Sequence, residues 1–201
     1  MDPAIANLQP VLNSYWLMIH VAIIVASYGP FTLGMILGLI ILFFMAFANN
    51  KNKTIIKMKV AELVYISELA LTIGLIMLVI GNFLGGQWAN ESWGRYWGWD
   101  PKETWALISI MIYAFVIHMR IVPNLKGKWL FSLMSVMAYF SILMTYFGVN
   151  FYLTGLHSYA NGDKIVTPHF IYYSILAIAV LAFFAYLKDK KYLRNGLYNK
   201  L

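Results

Sequence analysis

Residues 15–47 read YWLMIHVAIIVASYGPFTLGMILGLIILFFMAF and contain no aspartate, glutamate, lysine or arginine. An apolar run of this length predicts a membrane-spanning helix, because lipid leaves every backbone polar group to find a partner within its own segment. At about 1.5 Å per residue the run would reach roughly 50 Å, whereas a hydrocarbon core is about 30 Å thick. We therefore expect its first part, which carries His20, to lie near or above one membrane face, with a kink near Ser27–Pro30.

Four further apolar runs follow the first. Together they predict an all-α protein, a polytopic transmembrane helical bundle of about five spans, with residues 1–201 forming one integral membrane domain. The composition agrees, since 61% of the residues are hydrophobic and 11% are charged, whereas soluble domains carry about 25% charged residues. The further spans are expected at Ala61–Leu84, Thr104–Arg120, Trp129–Val149 and His169–Leu187.

The basic residues predict which helix ends face the cytoplasm. Twelve of the 15 lysines and arginines follow the first, third and fifth runs, and only Arg95, Lys102 and Lys164 fall on the other side. By the positive-inside rule the N-terminus is expected outside and the C-terminus in the cytoplasm, with outward loops at about 85–103 and 150–168. The net charge of +7 is then a topology signal, so the expected partner is a lipid bilayer and not nucleic acid.

The first outward loop concentrates tryptophan. Residues 88–105 read WANESWGRYWGWDPKETW and hold five of the 7 tryptophans of the chain. A single tryptophan here would be an ordinary interfacial residue, but a cluster interleaved with Gly94 and Gly98 favours a surface for a flat, apolar macrocycle. Asp100 opens an Asp-Pro-Lys-Glu helix-start pattern, which favours a capping role over ligand contact for its carboxylate.

The stretch 93–105, WGRYWGWDPKETW, resembles the tryptophan-rich WWD signature of the haem-handling proteins of cytochrome c biogenesis. Its Pro-Lys-Glu-Thr-Trp continuation is similar to the System II branch, the CcsA (ResC) type. The likeness extends from the segment around His20 to the Gly-Leu-His-Ser-Tyr segment at 155–159. Members of the family are usually longer at the N-terminus, so the chain resembles their C-terminal haem-handling core.

The resemblance implies a function in cytochrome c maturation. Haem b would be bound at the outer membrane face and presented for covalent thioether attachment to an apocytochrome c that carries a Cys-x-x-Cys-His segment, with haem export across the membrane as a further step. The implied setting is the bacterial inner membrane, or the thylakoid membrane of a plastid, with the haem site facing outward. The implied partner is a CcsB (ResB)-type membrane subunit, within a cytochrome c haem lyase (holocytochrome c synthase).

The resemblance also gives roles to histidines. The two external histidines of the family match His20 and His157, and we expect both imidazoles to bind the haem iron. His118 matches the membrane-embedded transit histidine of the family, although an interfacial side chain is the alternative. The chain has no cysteine, so it offers no thiolate ligand. The other expected haem contacts are Trp93, Trp97, Trp99, Asp100 and Arg95.

Several roles stay open on the sequence. Arg95 and Lys102 either pair with haem propionates or remain solvated. Glu68 is either a partner inside the bundle or part of an inner vestibule, and His169 is expected to be a helix-start residue. No residue is assigned as a catalytic acid or base.

Three other functional classes compete with the synthase. A System I-like protein would deliver haem to a chaperone, and a membrane b-type cytochrome would use paired histidines to carry electrons. A transporter or channel has the least support, since few charges lie within the spans and no broken-helix repeat is evident.

Overall fold

The computed structural model describes residues 14–153 and 168–194, which are helical apart from short connections, and so the all-α prediction is confirmed. We number the helices of these residues α1 to α6. The helices are α1 Tyr15–Ala46, α2 Lys53–Trp93, α3 Pro101–His118, α4 Lys128–Leu143, α5 Val149–Tyr152 and α6 His169–Lys188. Two π-helical turns, Met144–Gly148 and Asp189–Arg194, extend α4 and α6.

Four helical segments of the described residues are long and apolar enough to cross a membrane: Tyr15–Ala46, Lys53–Trp93, Lys128–Tyr152 and His169–Arg194. The remaining predicted span, Thr104–Arg120, corresponds to α3, which has 18 residues. At 1.5 Å per residue α3 is roughly 27 Å long, slightly short of a core of about 30 Å. The chain is therefore a multi-pass membrane protein, and α3, the shortest predicted span, is shorter than each of the four segments above.

Glycines set the close antiparallel packing of α1 on α2. A Cβ added at Gly74 would come within 2.9 Å of the Phe31 ring, and one at Gly81 within 2.6 Å of the Ile24 side chain. Small residues at such positions let two membrane helices approach closely. The contacts lie nearer the N-terminus of α1 as they lie nearer the C-terminus of α2, so the two helices are antiparallel. Helix α1 continues without a break through Pro30.

The other helices complete a bundle around this pair. Tyr113 of α3 stacks on Phe31 of α1 with ring centroids 3.8 Å apart, and Tyr139 of α4 lies 2.9 Å from the Thr32 hydroxyl. By contrast α6 packs loosely on the bundle. Only 11% of the most apolar 18-residue stretch in His169–Arg194 is buried within the described protein. A hydrogen bond links α6 to α4: the Trp129 indole N–H donates to the carbonyl of Ala182 at 3.0 Å.

Glu68 has a partner inside the bundle. Its carboxylate forms an ion pair with the guanidinium of Arg120, which follows the end of α3. The same guanidinium lies over the Phe131 ring at 5.8 Å. Of the two roles that the sequence left open for Glu68, the structure supports the bundle partner.

The expected outward loop at 85–103 is corrected by the structure. Helix α2 continues through Gly85 and Gly86 to Trp93, and α3 begins at Pro101. The connection is therefore residues 94–100, which we call the Trp loop. The helix persists past the glycines because Trp88 is buried and because the Ser14 hydroxyl donates to the Glu91 carboxylate at 2.7 Å. Residues 154–167, most of the second expected loop, lie outside the described residues.

Candidate functional site

A cavity of about 240 Å³ lies beside the Trp loop. It is enclosed by the N-terminal part of α1, the C-terminal end of α2, the start of α3 and the π-helical turn that follows α4. Most of its wall is aliphatic or aromatic, with a few polar groups, which is typical of a site for an organic ligand. The lining residues that bear on chemistry are His20, Tyr28, Trp88, Trp97, Lys102 and Tyr146.

His20 is held firmly in the cavity wall. Its side chain is 6% exposed, and its ring stacks on Trp88 with centroids 5.0 Å apart and an interplanar angle of 26°. Nδ1 lies 2.9 Å from the carbonyl oxygen of Trp16, one turn earlier in α1. Because a carbonyl can only accept, Nδ1 carries the proton, and in the neutral imidazole the lone pair is therefore on Nε2.

Gly85 makes room for this imidazole. A Cβ at Gly85 would lie 3.4 Å from Cδ2 of His20 and 3.9 Å from Nε2, so a larger side chain would cover the Nε2 edge of the ring. Sequence reasoning missed this glycine as a site residue. The available signal was the Gly85-Gly86 pair at the end of an apolar run.

The tryptophan rings do not form one flat platform. Trp93 packs edge-on against Trp88 at an interplanar angle of 67°, and Trp97 and Trp99 are nearly perpendicular at 88°. Edge-to-face pairs are favoured because the positive edge of one ring meets the negative face of the other. Trp97 lines the cavity, whereas Trp99 is 70% exposed.

Asp100 and Glu103 fix the Trp loop to α3, and the predicted helix cap is confirmed. The Asp100 carboxylate accepts from the backbone N–H of Lys102 at 3.1 Å. The Glu103 carboxylate reaches back to the N–H of Asp100 at 3.3 Å and to the N–H of Gly98 at 2.8 Å. This reciprocal capping box satisfies the donors at the helix start and orders the loop at the same time.

Replacing Asp100 tests whether its role is the cap. We expect Asp100→Ala to lower the stability of the purified protein in detergent by about 1 kcal/mol, whereas Asp100→Asn retains most of it because asparagine caps as well as aspartate. Thermal unfolding measures both variants. Equal losses in the two would show that the charge matters and not the cap.

Two cations flank the site differently. Lys102 lines the cavity and its ammonium donates to the side-chain oxygen of Asn150 at 3.2 Å. Burial lowers the pKa of Lys102, and the nearby Asp100 carboxylate opposes that shift. Arg95 is exposed, and its guanidinium lies over Gly98, where a Cβ would be 3.0 Å from it.

The π-helical turn after α4 supplies the remaining wall. Within it, Tyr146 lines the cavity and packs edge-on against Tyr28, while the Thr145 hydroxyl lies 3.1 Å from that of Ser109. π-helical turns are frequent at functional sites. Sequence analysis assumes a regular helical repeat and so does not predict a π-helical turn. For that reason Tyr146 was not predicted to lie at the site.

The other histidines lie elsewhere. His118 is exposed at the opposite end of α3 from the Trp loop, roughly 26 Å away along that helix. Its Nδ1 lies 2.7 Å from the carbonyl of Ala114. His169 is exposed at the start of α6, as expected. His157, the second predicted iron ligand, lies outside the described residues.

Comparison with known proteins identifies the family of the chain. Residues 1–157 match the family described as cytochrome C assembly protein. The chain belongs to that family. The match includes α1 to α5 and the whole cavity, so the resemblance read from the Trp loop is confirmed.

Individual relatives of this assembly family carry matching names. The chain is 54% identical over 165 residues to protein NrfI of Wolinella succinogenes, which covers 82% of this chain and 18% of NrfI. It is 37% identical over 182 residues to cytochrome c biogenesis protein CcsA of Prochlorococcus marinus, with 78% and 57% of the two chains covered. A second strain of that species has a CcsA that is 36% identical over 176 residues. The chain thus spans little more than half of these CcsA relatives and less than a fifth of NrfI.

Proposed function

We propose that this protein acts in cytochrome c maturation by holding haem in the cavity beside His20 and presenting it for covalent attachment to an apocytochrome c. The observation that carries the proposal is the buried His20 imidazole, which is oriented by a backbone carbonyl and opens onto an aromatic cavity next to the Trp loop. Membership of the cytochrome c assembly family supports the same function.

The residues around the cavity fit haem as a substrate. An imidazole whose Nδ1 donates to a carbonyl is the usual arrangement of a metal-binding histidine. The apolar wall suits a porphyrin face, and Trp97 offers a ring for stacking. The cavity volume of about 240 Å³ is just below the range of roughly 300–1,000 Å³ for small-molecule sites. We therefore expect the cavity to hold only part of the haem, with the rest of the macrocycle protruding toward the exposed Trp99.

The proposed chemistry is mainly positioning. His20 and, by the family resemblance, His157 would bind the iron on opposite faces. The apocytochrome would then bring its two thiols to the haem vinyl groups. In each addition the sulfur bonds one vinyl carbon and the thiol hydrogen ends on the other, so no oxidant or reductant is consumed. The histidine of the apocytochrome then replaces one ligand, and fixed orientation can supply several kcal/mol of barrier reduction.

His118 is proposed as a transit ligand for haem that arrives from the cytoplasm. Its Nδ1 is held by a backbone carbonyl as in His20, and its exposed side chain suits a second ligand from another subunit. A CcsB-type subunit is the proposed source. The proposed orientation, with the cavity outside and His118 toward the cytoplasm, agrees with the positive-inside rule.

Co-expression with a c-type apocytochrome tests the proposal. We expect the purified protein to carry haem with a histidine-ligated absorption spectrum, and the co-expressed cytochrome to acquire haem that survives denaturing electrophoresis. Expression should be done with and without the CcsB-type subunit. Bound haem without any covalent product in either setting would favour a b-type cytochrome, and absence of haem from the protein would overturn the proposal.

A further inference from the structure

We propose that Lys102 is the cationic contact for a carboxylate of the bound porphyrin and thereby determines which edge of the macrocycle faces outward. The inference rests on the proposed function, since it names the part of the haem that meets one wall of the cavity. The chemical group recognised is a propionate, of which haem carries two on the same edge.

Lys102 is placed to receive such a group. It is the second residue of α3 and lines the same cavity as His20 and Trp97. Asn150 holds its ammonium at 3.2 Å, and the Asn150 amide in turn donates to the carbonyl of Tyr146 at 2.7 Å. The charge is thus anchored between the start of α3 and the short helix α5, and does not swing freely in solvent.

Among the described residues no carboxylate forms an ion pair with Lys102, although that of Asp100 lies nearby. Of the described residues that line the cavity, Lys102 is the one lysine or arginine and Glu103 the one carboxylate. The Glu103 carboxylate accepts from two backbone N–H groups of the Trp loop. An ammonium has three donors, and within the described protein Asn150 accepts one of them. The remaining N–H groups suit the two oxygens of a ligand carboxylate.

The structure separates Lys102 from Arg95, the other cation that the sequence offered. The Arg95 guanidinium is folded over Gly98 on the exposed side of the Trp loop and is not among the residues that line the cavity. A partly buried cation forms a stronger bond to a carboxylate than an exposed one, because water competes less for it.

The contact has a consequence for attachment. The propionate and vinyl groups of haem occupy opposite halves of the macrocycle. With a propionate bound at Lys102 and the iron at His20, the vinyl half is directed away from the start of α3. The reactive carbons are then presented in one orientation to the incoming thiols.

Haem and its dimethyl ester, in which both propionates are uncharged, provide the probes. Each is titrated into the purified full chain in detergent, and binding is followed by the haem absorption band. The wild-type protein is expected to bind haem about tenfold more tightly than the ester, since a hydrogen bond to a charged group is lost. The variants are Lys102→Met, Lys102→Arg, Arg95→Met and, as a matched control in the connection between α3 and α4, Lys126→Met.

Lys102→Met is expected to abolish the preference for haem over the ester, with the ester bound as in wild type. Lys102→Arg and Lys126→Met should keep the preference. A preference that persists in Lys102→Met, or that disappears in Arg95→Met instead, would overturn the inference while leaving the proposed function intact. If neither probe binds the wild-type protein through a histidine, the proposed function itself fails.

Discussion

Replacing His20 with alanine is expected to lower haem affinity at least as much as the roughly 10–100-fold loss seen when a group that merely supports a metal ligand is removed. The reason is that the imidazole supplies an iron ligand and also stacks on Trp88 with centroids 5.0 Å apart. The haem band of the purified protein and the yield of covalent cytochrome should fall together. Both are measured by absorbance at equal protein concentration.

Added imidazole provides the test that separates a ligand from a structural residue. His20→Ala leaves a gap beside Gly85, at the edge of a cavity of about 240 Å³, and free imidazole is small enough to enter it. We expect millimolar imidazole to restore part of the haem band. A structural role alone would not give this rescue.

His169→Ala is the matched control. His169 begins α6, is exposed, and lies outside the cavity lining. Its replacement should leave haem content and cytochrome yield unchanged. An unaltered haem band in His20→Ala, or an equal loss in both variants, would show that His20 does not bind the iron.

The helical architecture was largely predictable because its cause lies within each segment. An apolar run without charges must satisfy its own backbone in lipid, so α1 and most of α2, α4 and α6 follow directly from the sequence. The cap at Asp100 was predictable for the same reason, since the box involves residues only three positions apart. The tryptophan cluster identified the family from a local motif.

The arrangement of the site was less predictable, because it depends on how helices pack against one another. Nothing local requires α2 to continue past Gly85 and Gly86. The helix does so because Trp88 is buried against α1 and stacks on His20. Similarly, Tyr146 reaches the cavity through a π-helical turn, which interrupts the repeat that sequence analysis assumes. Lys102 became distinguishable from Arg95 only when the cavity wall was known.

Replacing Gly38 with leucine is expected to destabilise the bundle by about 1–3 kcal/mol, the usual cost of overpacking a well-packed core. A Cβ at Gly38 would lie 2.8 Å from the carbonyl oxygen of Ser132 and 2.9 Å from Cγ2 of Val136. The first of these atoms is backbone, so α4 as a whole would have to move away from α1. Thermal unfolding in detergent should show a Tm lower by several degrees.

Ala26→Leu is the control on the same helix. Ala26 is exposed, and leucine is almost as good a helix former as alanine, so the substitution costs the helix little. We therefore expect a Tm close to that of the wild type. Gly38 lies away from the cavity, so the folded fraction of Gly38→Leu should still bind haem through His20. Equal Tm values for the two variants would mean that α1 and α4 do not meet at Gly38, and the packing that places Tyr146 opposite Tyr28 would then need a different explanation.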